Sequence, residues 1–197
     1  MSQELLDIGF AHDRTTAKEQ WLTPPWIIRE LGEFDLDPCF DPPRPWDTAK
    51  SYLTSAENGL IKPWPDNARV WLNPPYGKET PRWMQRMSEH NGGGIALIFV
   101  RTETATFFPW IWDNATGFLF IKGRLSFYTV EGKKGGTAGA PSMLIAYSDF
   151  DNDVLARCAF NGRIPGKFLM NEQVKAVLPT KPNEIQNTIQ TVLQSPA

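Results

Sequence analysis

The sequence predicts an α/β protein with an open, mostly parallel sheet, and three observations indicate this fold class. Residues 70–72 and 95–100 are continuous apolar runs, which are typical of parallel strands buried on both faces. Residues 78–90 lie between them with the spacing of an amphipathic helix, as a parallel connection requires. Polar residues follow each run directly, at Asn73 and at 101–104. Because open α/β sheets bind ligands beyond the carboxyl ends of their strands, we expect a site at this edge.

The composition is that of one globular domain. The chain has 197 residues, of which 41% are hydrophobic, so it is long enough to bury a sizeable core. We expect a polar arm over residues 1–20 and a folded domain over residues 21–170. A C-terminal tail over residues 171–197 is expected to contain an amphipathic helix.

Charge, cysteine content and hydropathy exclude several classes of protein. The net charge of −2 argues against indiscriminate binding to polyanions, so contact with nucleic acid requires a local basic face. Cys39 and Cys158 do not make a disulfide framework, and no Cys/His cluster has the spacing of a metal site. No apolar run reaches the length of a membrane span, and the N-terminus lacks the pattern of a signal peptide. We therefore expect a cytoplasmic protein that binds no metal.

The first predicted element is a short helix. It begins at Pro24 or Pro25, where Thr23 is placed to cap it, and Gly32 is placed to end it. A short strand follows over residues 34–38, because apolar side chains alternate there.

Asp37 ends this first strand. An acid in that position can bind the amino or hydroxyl groups of a cofactor, although the local pattern by itself favours simple turn initiation. The irregular segment 44–65 follows, and its Trp64 is expected to pack against the sheet. The chain between Asp37 and Asn73 is too short for a complete two-layer cofactor half, so the first half of the fold is predicted to be abbreviated.

The second half is predicted to close the sheet with an antiparallel hairpin. Residues 107–112 have an aromatic-rich helical pattern. Residues 117–121 form a strand that leads into 125–128, and residues 141–147 form the returning strand. Beyond residue 150 the signal fades, and residues 160–170 are predicted to be loop with a short strand.

Two sets of polar residues are candidate substrate contacts. One set follows the strand 95–100 and consists of Arg101, Thr102 and Glu103. The other is Lys133 and Lys134, in the glycine-rich loop that connects the hairpin, where basic side chains can follow phosphates. Solvated loop residues remain the alternative for both sets.

The segment Val70–Gly77 contains the most informative motif. Prolines cannot continue a central strand, so Asn73 and Tyr76 lie just beyond its carboxyl end. The side-chain oxygen of Asn73 and the carbonyl of Pro74 can accept hydrogen bonds from an exocyclic amine, and Pro75 helps to fix the backbone. Tyr76 can stack on a base that is rotated out of its duplex. A simple turn is the alternative, but the segment resembles the Asn-Pro-Pro-Tyr motif of amino-group methyltransferases, which methylate adenine N6, cytosine N4 or a glutamine amide.

A second, weaker pattern resembles the cytosine-C5 methyltransferases, which use a cysteine nucleophile. Pro38-Cys39 and Glu57-Asn58 contribute to this likeness. Those enzymes are much longer and place a glycine-rich cofactor loop well before the cysteine. Nothing upstream of Cys39 qualifies, so we interpret Cys39 as a small buried or cofactor-facing residue.

Over most of its length the sequence resembles the phage-type DNA N6-adenine methyltransferase (Dam) family. The resemblance depends on the order and spacing of these segments: Trp21-x-Thr23-Pro24, Phe34–Cys39, Tyr52–Thr54, Gly59-Leu60 before Trp64, Val70–Gly77, Arg101–Thr104 and Gly123–Phe127. The chain departs from the family at Glu57-Asn58, where acidic residues usually precede Gly-Leu.

The resemblance implies an abbreviated Rossmann-like class I methyltransferase fold, S-adenosylmethionine as the cofactor, and adenine in double-stranded DNA as the substrate. It implies that catalysis depends on Asn73, Pro74, Pro75 and Tyr76. We expect the cofactor to lie beside Trp21, Thr23, Pro24, Asp37, Pro38, Cys39, Asn58 and Gly59. We expect the substrate to contact Lys78, Arg101, Thr102, Glu103, Arg124, Lys133 and Lys134. A phage-encoded member would act in the cytoplasm of its host cell.

Three functions stay open at this point. The favoured one is a DNA adenine-N6 methyltransferase that flips its base. The second keeps this chemistry but acts on cytosine N4, RNA or a protein glutamine. The third is a non-catalytic DNA-binding protein whose cofactor pocket has decayed, which the abbreviated first half would explain. The sequence leaves the recognised bases undetermined, and it does not distinguish a monomer from a homodimer.

Overall fold

The computed structural model describes residues 21–40 and 42–171. Its helices are α1 (Pro25–Leu31), α2 (Thr80–Ser88), α3 (Asp149–Phe160) and a short π-helix at Phe108–Trp112. Among the described residues, no helix is long and apolar enough to cross a membrane. The predicted N-terminal arm and the predicted amphipathic helix of the tail lie outside the described residues.

The strands of the described chain form two sheets. They are β1 (Leu36–Asp37), β2 (Ser51–Tyr52), β3 (Val70–Leu72), β4 (Gly94–Phe99), β5 (Gly117–Ile121), β6 (Ser126–Tyr128), β7 (Lys134–Thr137), β8 (Ser142–Ala146) and β9 (Gly166–Met170). The main sheet has the order β2-β1-β3-β4-β8-β5-β9, and β6 and β7 form a separate antiparallel pair. In the main sheet β1 to β5 point in one direction, and β8 and β9 point in the other. The predicted α/β class with a mixed, mostly parallel sheet is therefore confirmed.

The strand order contains a topological switch point between β1 and β3. The chain moves outward from β1 to β2 and then returns to add β3 on the other side of β1. Leu36 is paired with Val70 in parallel, so Asp37 and Asn73 follow neighbouring strands at the same edge of the sheet. In open α/β sheets this crevice, outside the carboxyl ends of the strands, is where ligands bind.

Helices cover both faces of the main sheet, which explains why its central strands are apolar on both sides. In β4, Ile95 and Leu97 pack in a cluster with residues of α1 and α3. Ala96 and Ile98 point to the opposite face, where the cluster includes α2 and the π-helix. Trp64 is buried in this second cluster, as predicted.

The start of the chain differs from its prediction at one residue. Gly32, with φ of 84°, follows α1 as expected. Thr23 does not cap this helix: Pro24 occupies the N-cap position, and no side chain makes a capping hydrogen bond. The Thr23 hydroxyl instead contacts Asn73.

The antiparallel closure also differs from its prediction. β8 returns between β4 and β5, but β6 does not pair with it. β6 pairs with β7, which lies inside the segment predicted to be a flexible loop. The backbone of Gly135 packs against Trp21 so closely that a Cβ atom there would lie 2.3 Å from the ring. Glycine therefore suits this strand although it weakens the sequence signal for one.

Helix α3 was not predicted, because polar residues interrupt its apolar face. Asp151 and Asn152 are buried in its first turns. A local signal was nevertheless present, since the Ser148 hydroxyl caps the helix by accepting a hydrogen bond from Asp151 N at 3.1 Å. The short strand predicted beyond Phe160 is confirmed by β9.

Candidate active site

The Asn-Pro-Pro-Tyr loop leaves the buried strand β3 and is fastened to the start of α2. Pro74 is buried, whereas Pro75 and Tyr76 are exposed. The Thr80 hydroxyl donates to the carbonyl oxygen of Pro75 and accepts from the backbone N–H of Gly77, both at 3.0 Å. The loop therefore has a defined shape immediately beyond the carboxyl end of β3.

The amide of Asn73 has a fixed orientation. Its Nδ2 atom donates to the hydroxyl oxygen of Thr23 at 3.1 Å, and Thr23 is only 2% exposed. Its Oδ1 atom accepts a long hydrogen bond, 3.4 Å, from the Tyr76 hydroxyl. The amide nitrogen therefore faces the protein, and the oxygen lies on the side of the exposed Tyr76.

The ring of Tyr76 stacks on Phe99. Their centroids are 4.1 Å apart and their planes differ by 12°. Phe99 is the last residue of β4, so it lies at the same edge of the sheet as Asn73. Tyr76 remains 37% exposed, but desolvation of its phenol raises its pKa well above the usual value. The hydroxyl therefore stays protonated and can act as a donor to Asn73.

Asp37, at the end of β1, is buried and is held by several donors. Its Oδ1 atom accepts from the backbone N–H of Cys39 at 3.0 Å. Its Oδ2 atom accepts from the Thr48 hydroxyl and from Arg44, whose Nη1 atom is 3.4 Å away. Arg44 also donates to the carbonyl oxygen of Cys39 at 2.9 Å. The carboxylate thus organises the turn at Pro38 and Cys39 and joins it to the loop that follows.

Asn58 and Gly59 belong to a turn that packs directly on this loop. Asn58 adopts a left-handed conformation, with φ of 55°, and its side chain accepts from the backbone N–H of Leu60 at 3.2 Å. A Cβ atom on Gly59 would lie 2.2 Å from the carbonyl oxygen of Pro38, so only glycine allows this approach. The structure therefore brings Asn58 and Gly59 beside Asp37, Pro38 and Cys39.

Trp21, Thr23 and Pro24 are the third group of predicted cofactor neighbours, and Thr23 contacts Asn73 just beyond β3. The segment is attached to the small sheet, because Leu22 and Tyr128 exchange backbone hydrogen bonds of 2.8 and 3.0 Å. The predicted cofactor neighbours thus come from three parts of the chain that meet around the switch point between β1 and β3.

The predicted substrate contacts are less closely grouped. Thr102 is partly buried, and the others are exposed: Lys78, Arg101, Glu103, Arg124, Lys133 and Lys134. Arg124 and Lys134 line one cleft together with Pro24. Lys133, Lys78 and Arg101–Glu103 are not among the residues that line it.

A second cleft, of about 640 Å³, lies between α1 and α3 and is lined by none of the predicted site residues. Within the described ranges, no group of three or more His, Cys, Asp and Glu side chains could hold a metal ion.

The loop after Asp37 fits a cofactor that carries hydrogen-bond acceptors. Among the described residues, Arg44 Nε and Trp46 Nε1 are buried donors without a hydrogen-bond partner. Buried donors are normally paired, so both can donate to acceptor groups of a bound molecule; Trp71 Nε1 and Arg86 Nε, in other parts of the described chain, are unpaired as well. The carboxylate and hydroxyl groups of S-adenosylmethionine are acceptors of the required kind.

Three residues that contact the predicted site residues, namely Phe99, Arg44 and Thr48, were not predicted from the sequence. Phe99 was assigned to an apolar strand, although an aromatic residue at a strand's carboxyl end was a usable signal. Arg44 and Thr48 lie in a segment without regular structure, and only the fold brings them to Asp37.

An α/β domain that presents an Asn-Pro-Pro-Tyr loop at the switch point of its sheet has the arrangement expected of an amino-group methyltransferase. Comparison with protein families agrees: the model of the DNA N-6-adenine-methyltransferase (Dam) family matches residues 11–163. The chain belongs to this family, which confirms the resemblance seen in the sequence. No curated protein and no solved structure gave a significant match.

Proposed function

We propose that this protein transfers a methyl group from S-adenosylmethionine to N6 of an adenine that is rotated out of double-stranded DNA. Membership of the Dam family implies DNA N6-adenine methylation. The finer proposals concern the cofactor, the flipped base and the residues that act on it. The strand order with its switch point, and the antiparallel β8, support an abbreviated Rossmann-like class I fold.

The observation that carries the proposal is the orientation of the Asn73 amide. Thr23 takes the Nδ2 donor, so the Oδ1 acceptor is directed toward the exposed side of the loop. An exocyclic amine has two hydrogens, and the Asn73 oxygen and the Pro74 carbonyl are two acceptors on a rigid backbone. Accepting both hydrogens draws the amine nitrogen toward the geometry in which its lone pair can attack.

The positions of the other site residues indicate the roles that we propose for them. Tyr76 stacks on the extruded base, with Phe99 supporting its ring from one side. The loop around Asp37 holds the cofactor, with Arg44 and Trp46 as donors to its acceptor groups. When bound, S-adenosylmethionine supplies the electrophilic methyl group. We propose that the protein acts inside the cell, where its DNA substrate is found.

The experiment is transfer of a tritiated methyl group to unmethylated DNA, followed by nucleoside analysis. We expect N6-methyladenine from the wild-type protein and no transfer by Asn73→Ala. Asn91→Ala is the matched control, because Asn91 is an exposed residue in the turn after α2. Label in cytosine would contradict the proposed acceptor, as would label in RNA or protein when either replaces DNA in the assay. Absence of label, together with no calorimetric heat on adding S-adenosylmethionine, would indicate a decayed, non-catalytic pocket.

A further inference from the structure

We infer that a cleft between the loop after β5 and the small β6–β7 sheet binds the phosphodiester backbone of the DNA, an inference that rests on the proposed function. The cleft has a volume of about 320 Å³. Three cationic side chains line it, those of Lys122, Arg124 and Lys134, and no acidic side chain does. In a protein whose net charge is −2, this is the local basic face that nucleic-acid binding requires.

The cleft lies at the catalytic edge of the main sheet. Lys122 and Arg124 follow the carboxyl end of β5, which points in the same direction as β3 and β4. Pro24 also lines the cleft, and it is the residue after Thr23, whose hydroxyl contacts the Asn73 amide at 3.1 Å. One residue that lines the cleft is therefore the chain neighbour of the residue that contacts Asn73.

The backbone under these cations is fixed. Arg124 Nη1 donates to the carbonyl oxygen of Ala138 at 3.0 Å, which joins the loop after β5 to the end of β7. Lys134 is paired with Tyr128 across the β6–β7 ladder, and Tyr128 is paired in turn with Leu22. The three side chains therefore converge on one cleft from two segments that are tied together.

The chemistry of the cleft selects phosphate rather than bases. Arginine presents several donors to phosphate oxygens, and lysine acts as a mobile point charge. A DNA strand carries one negative charge per nucleotide, so a base held at Asn73 has phosphates on both sides of it. Contacts of this kind position the duplex and carry no sequence information.

The test is the salt dependence of binding to a short unmethylated duplex, measured by fluorescence anisotropy between about 50 and 200 mM salt. The single variants are Lys122→Gln, Arg124→Gln and Lys134→Gln. Each lost phosphate contact should reduce the magnitude of the slope of log K against log salt concentration by about 0.9, where K is the association constant. Lys50→Gln is the control, because Lys50 precedes β2 and therefore lies at the opposite, amino-terminal edge of the sheet. Its slope should equal that of the wild-type protein.

Lys133→Gln tests whether DNA binds in this cleft or to any basic side chain on the nearby surface. Lys133 is the exposed neighbour of Lys134 but does not line the cleft, so its substitution should change the slope less. Equal effects of the two substitutions would overturn the inference.

The outcomes separate this inference from the proposed function. If the wild-type protein binds and methylates DNA while all cleft variants keep its slope, only the inference is wrong. If the cleft variants lower the slope but no methyl transfer occurs, the inference stands and the proposed function fails. If the wild-type protein shows no salt-dependent binding, both are wrong.

Discussion

At the residue scale, the site depends on which way one amide points. An asparagine side chain can present either an acceptor or two donors to a ligand, and only the acceptor suits an amine. Because the Thr23 hydroxyl accepts a hydrogen bond from Nδ2, the Oδ1 acceptor of Asn73 is left to face a ligand. Thr23 is thus a positioning residue for Asn73 in our proposal, in addition to being a predicted neighbour of the cofactor.

Thr23→Val should lower kcat about tenfold, equivalent to about 1.4 kcal/mol of transition-state stabilisation. Valine keeps the volume and removes the acceptor, so the amide is no longer held in one orientation. Thr23→Ser retains an acceptor and should recover most of the rate. Calorimetry with S-adenosylmethionine tests the other role: an unchanged kcat with weaker cofactor binding would show that Thr23 acts on the cofactor and not through Asn73.

Tyr76 should act mainly through its ring. Stacking on a base is worth about 1–3 kcal/mol, whereas the hydroxyl makes only a long hydrogen bond of 3.4 Å to Asn73. We expect Tyr76→Ala to lower kcat/KM about 5- to 150-fold and Tyr76→Phe to retain most of kcat/KM. Equal losses in the two variants would assign the essential role to the hydroxyl.

The raised pKa of Tyr76 predicts how this rate depends on pH. A phenol with a raised pKa keeps its proton at a pH where an ordinary tyrosine begins to lose it, near 10. The kcat profiles of the wild-type protein and Tyr76→Phe should therefore superimpose between about pH 7 and pH 10. A fall in the wild-type profile alone would show that the hydroxyl ionises in this range.

Single residues differed in how far the sequence could predict them. The roles that we propose for Asn73 and Pro74 follow from local chemistry, because prolines end a strand and leave acceptors beyond it. Phe99 and Arg44 acquire their positions only through contacts between distant parts of the chain. Thr23 was expected at a helix start, and its actual partner lies 50 residues away.

At the scale of elements, α3 is joined to the amino-terminal edge of the sheet by a buried ion pair. Arg69 Nε donates to Asp151 Oδ1 at 2.7 Å, and the backbone N–H of Gly94 donates to Asp151 Oδ2 at 2.8 Å. Arg69 also donates to the carbonyl oxygens of Leu31 and Glu33, after α1. One arginine thus connects α1, β3 and α3 at the edge opposite to the site.

Asp151→Ala should lower the free energy of unfolding by about 3–5 kcal/mol, because it leaves the largely buried Arg69 without its partner. Ser148→Ala removes the helix cap and the hydroxyl that hydrogen-bonds to the Asp151 carboxylate but keeps the ion pair, and it should cost about 0.5–2 kcal/mol. Urea unfolding of both variants measures the difference. If Asp151→Ala lowers the free energy of unfolding no more than Ser148→Ala does, the ion pair contributes no stability beyond that of the cap.

The sequence predicted elements best where burial imposes a simple pattern. β4 is buried on both faces and was visible as an unbroken apolar run. α3 escaped prediction because Asp151 and Asn152 occupy its buried side for tertiary reasons. β7 escaped prediction because Gly135, whose backbone packs closely against Trp21, weakens the sequence signal for a strand.

At the scale of the whole molecule, the fold gathers the site from segments that are remote in sequence. Thr23, Asp37, Asn73 and Phe99 precede or end four different elements and meet at one edge of the sheet. The family match ends at residue 163, yet the main sheet continues with β9. In our proposal one edge of this sheet carries the function, whereas the opposite edge carries the Arg69–Asp151 ion pair.

Affinity for DNA should accordingly depend on where a charge lies and not on the net charge of the protein. Lys134→Glu and Lys50→Glu each make the net charge, now −2, more negative by two units. Screening over about 8 Å at physiological salt confines each effect to its own surroundings. We expect Lys134→Glu to weaken binding to a short duplex by about tenfold or more, since it reverses a phosphate contact in the cleft.

Lys50→Glu should leave the dissociation constant within about twofold of the wild-type value, because Lys50 lies at the amino-terminal edge between Glu33 and Asp35. Anisotropy at one fixed salt concentration compares the two variants directly. Equal weakening by both variants would mean that the net charge of the protein governs DNA binding. The sheet edge that carries Asn73 would then attract DNA no more strongly than the opposite edge.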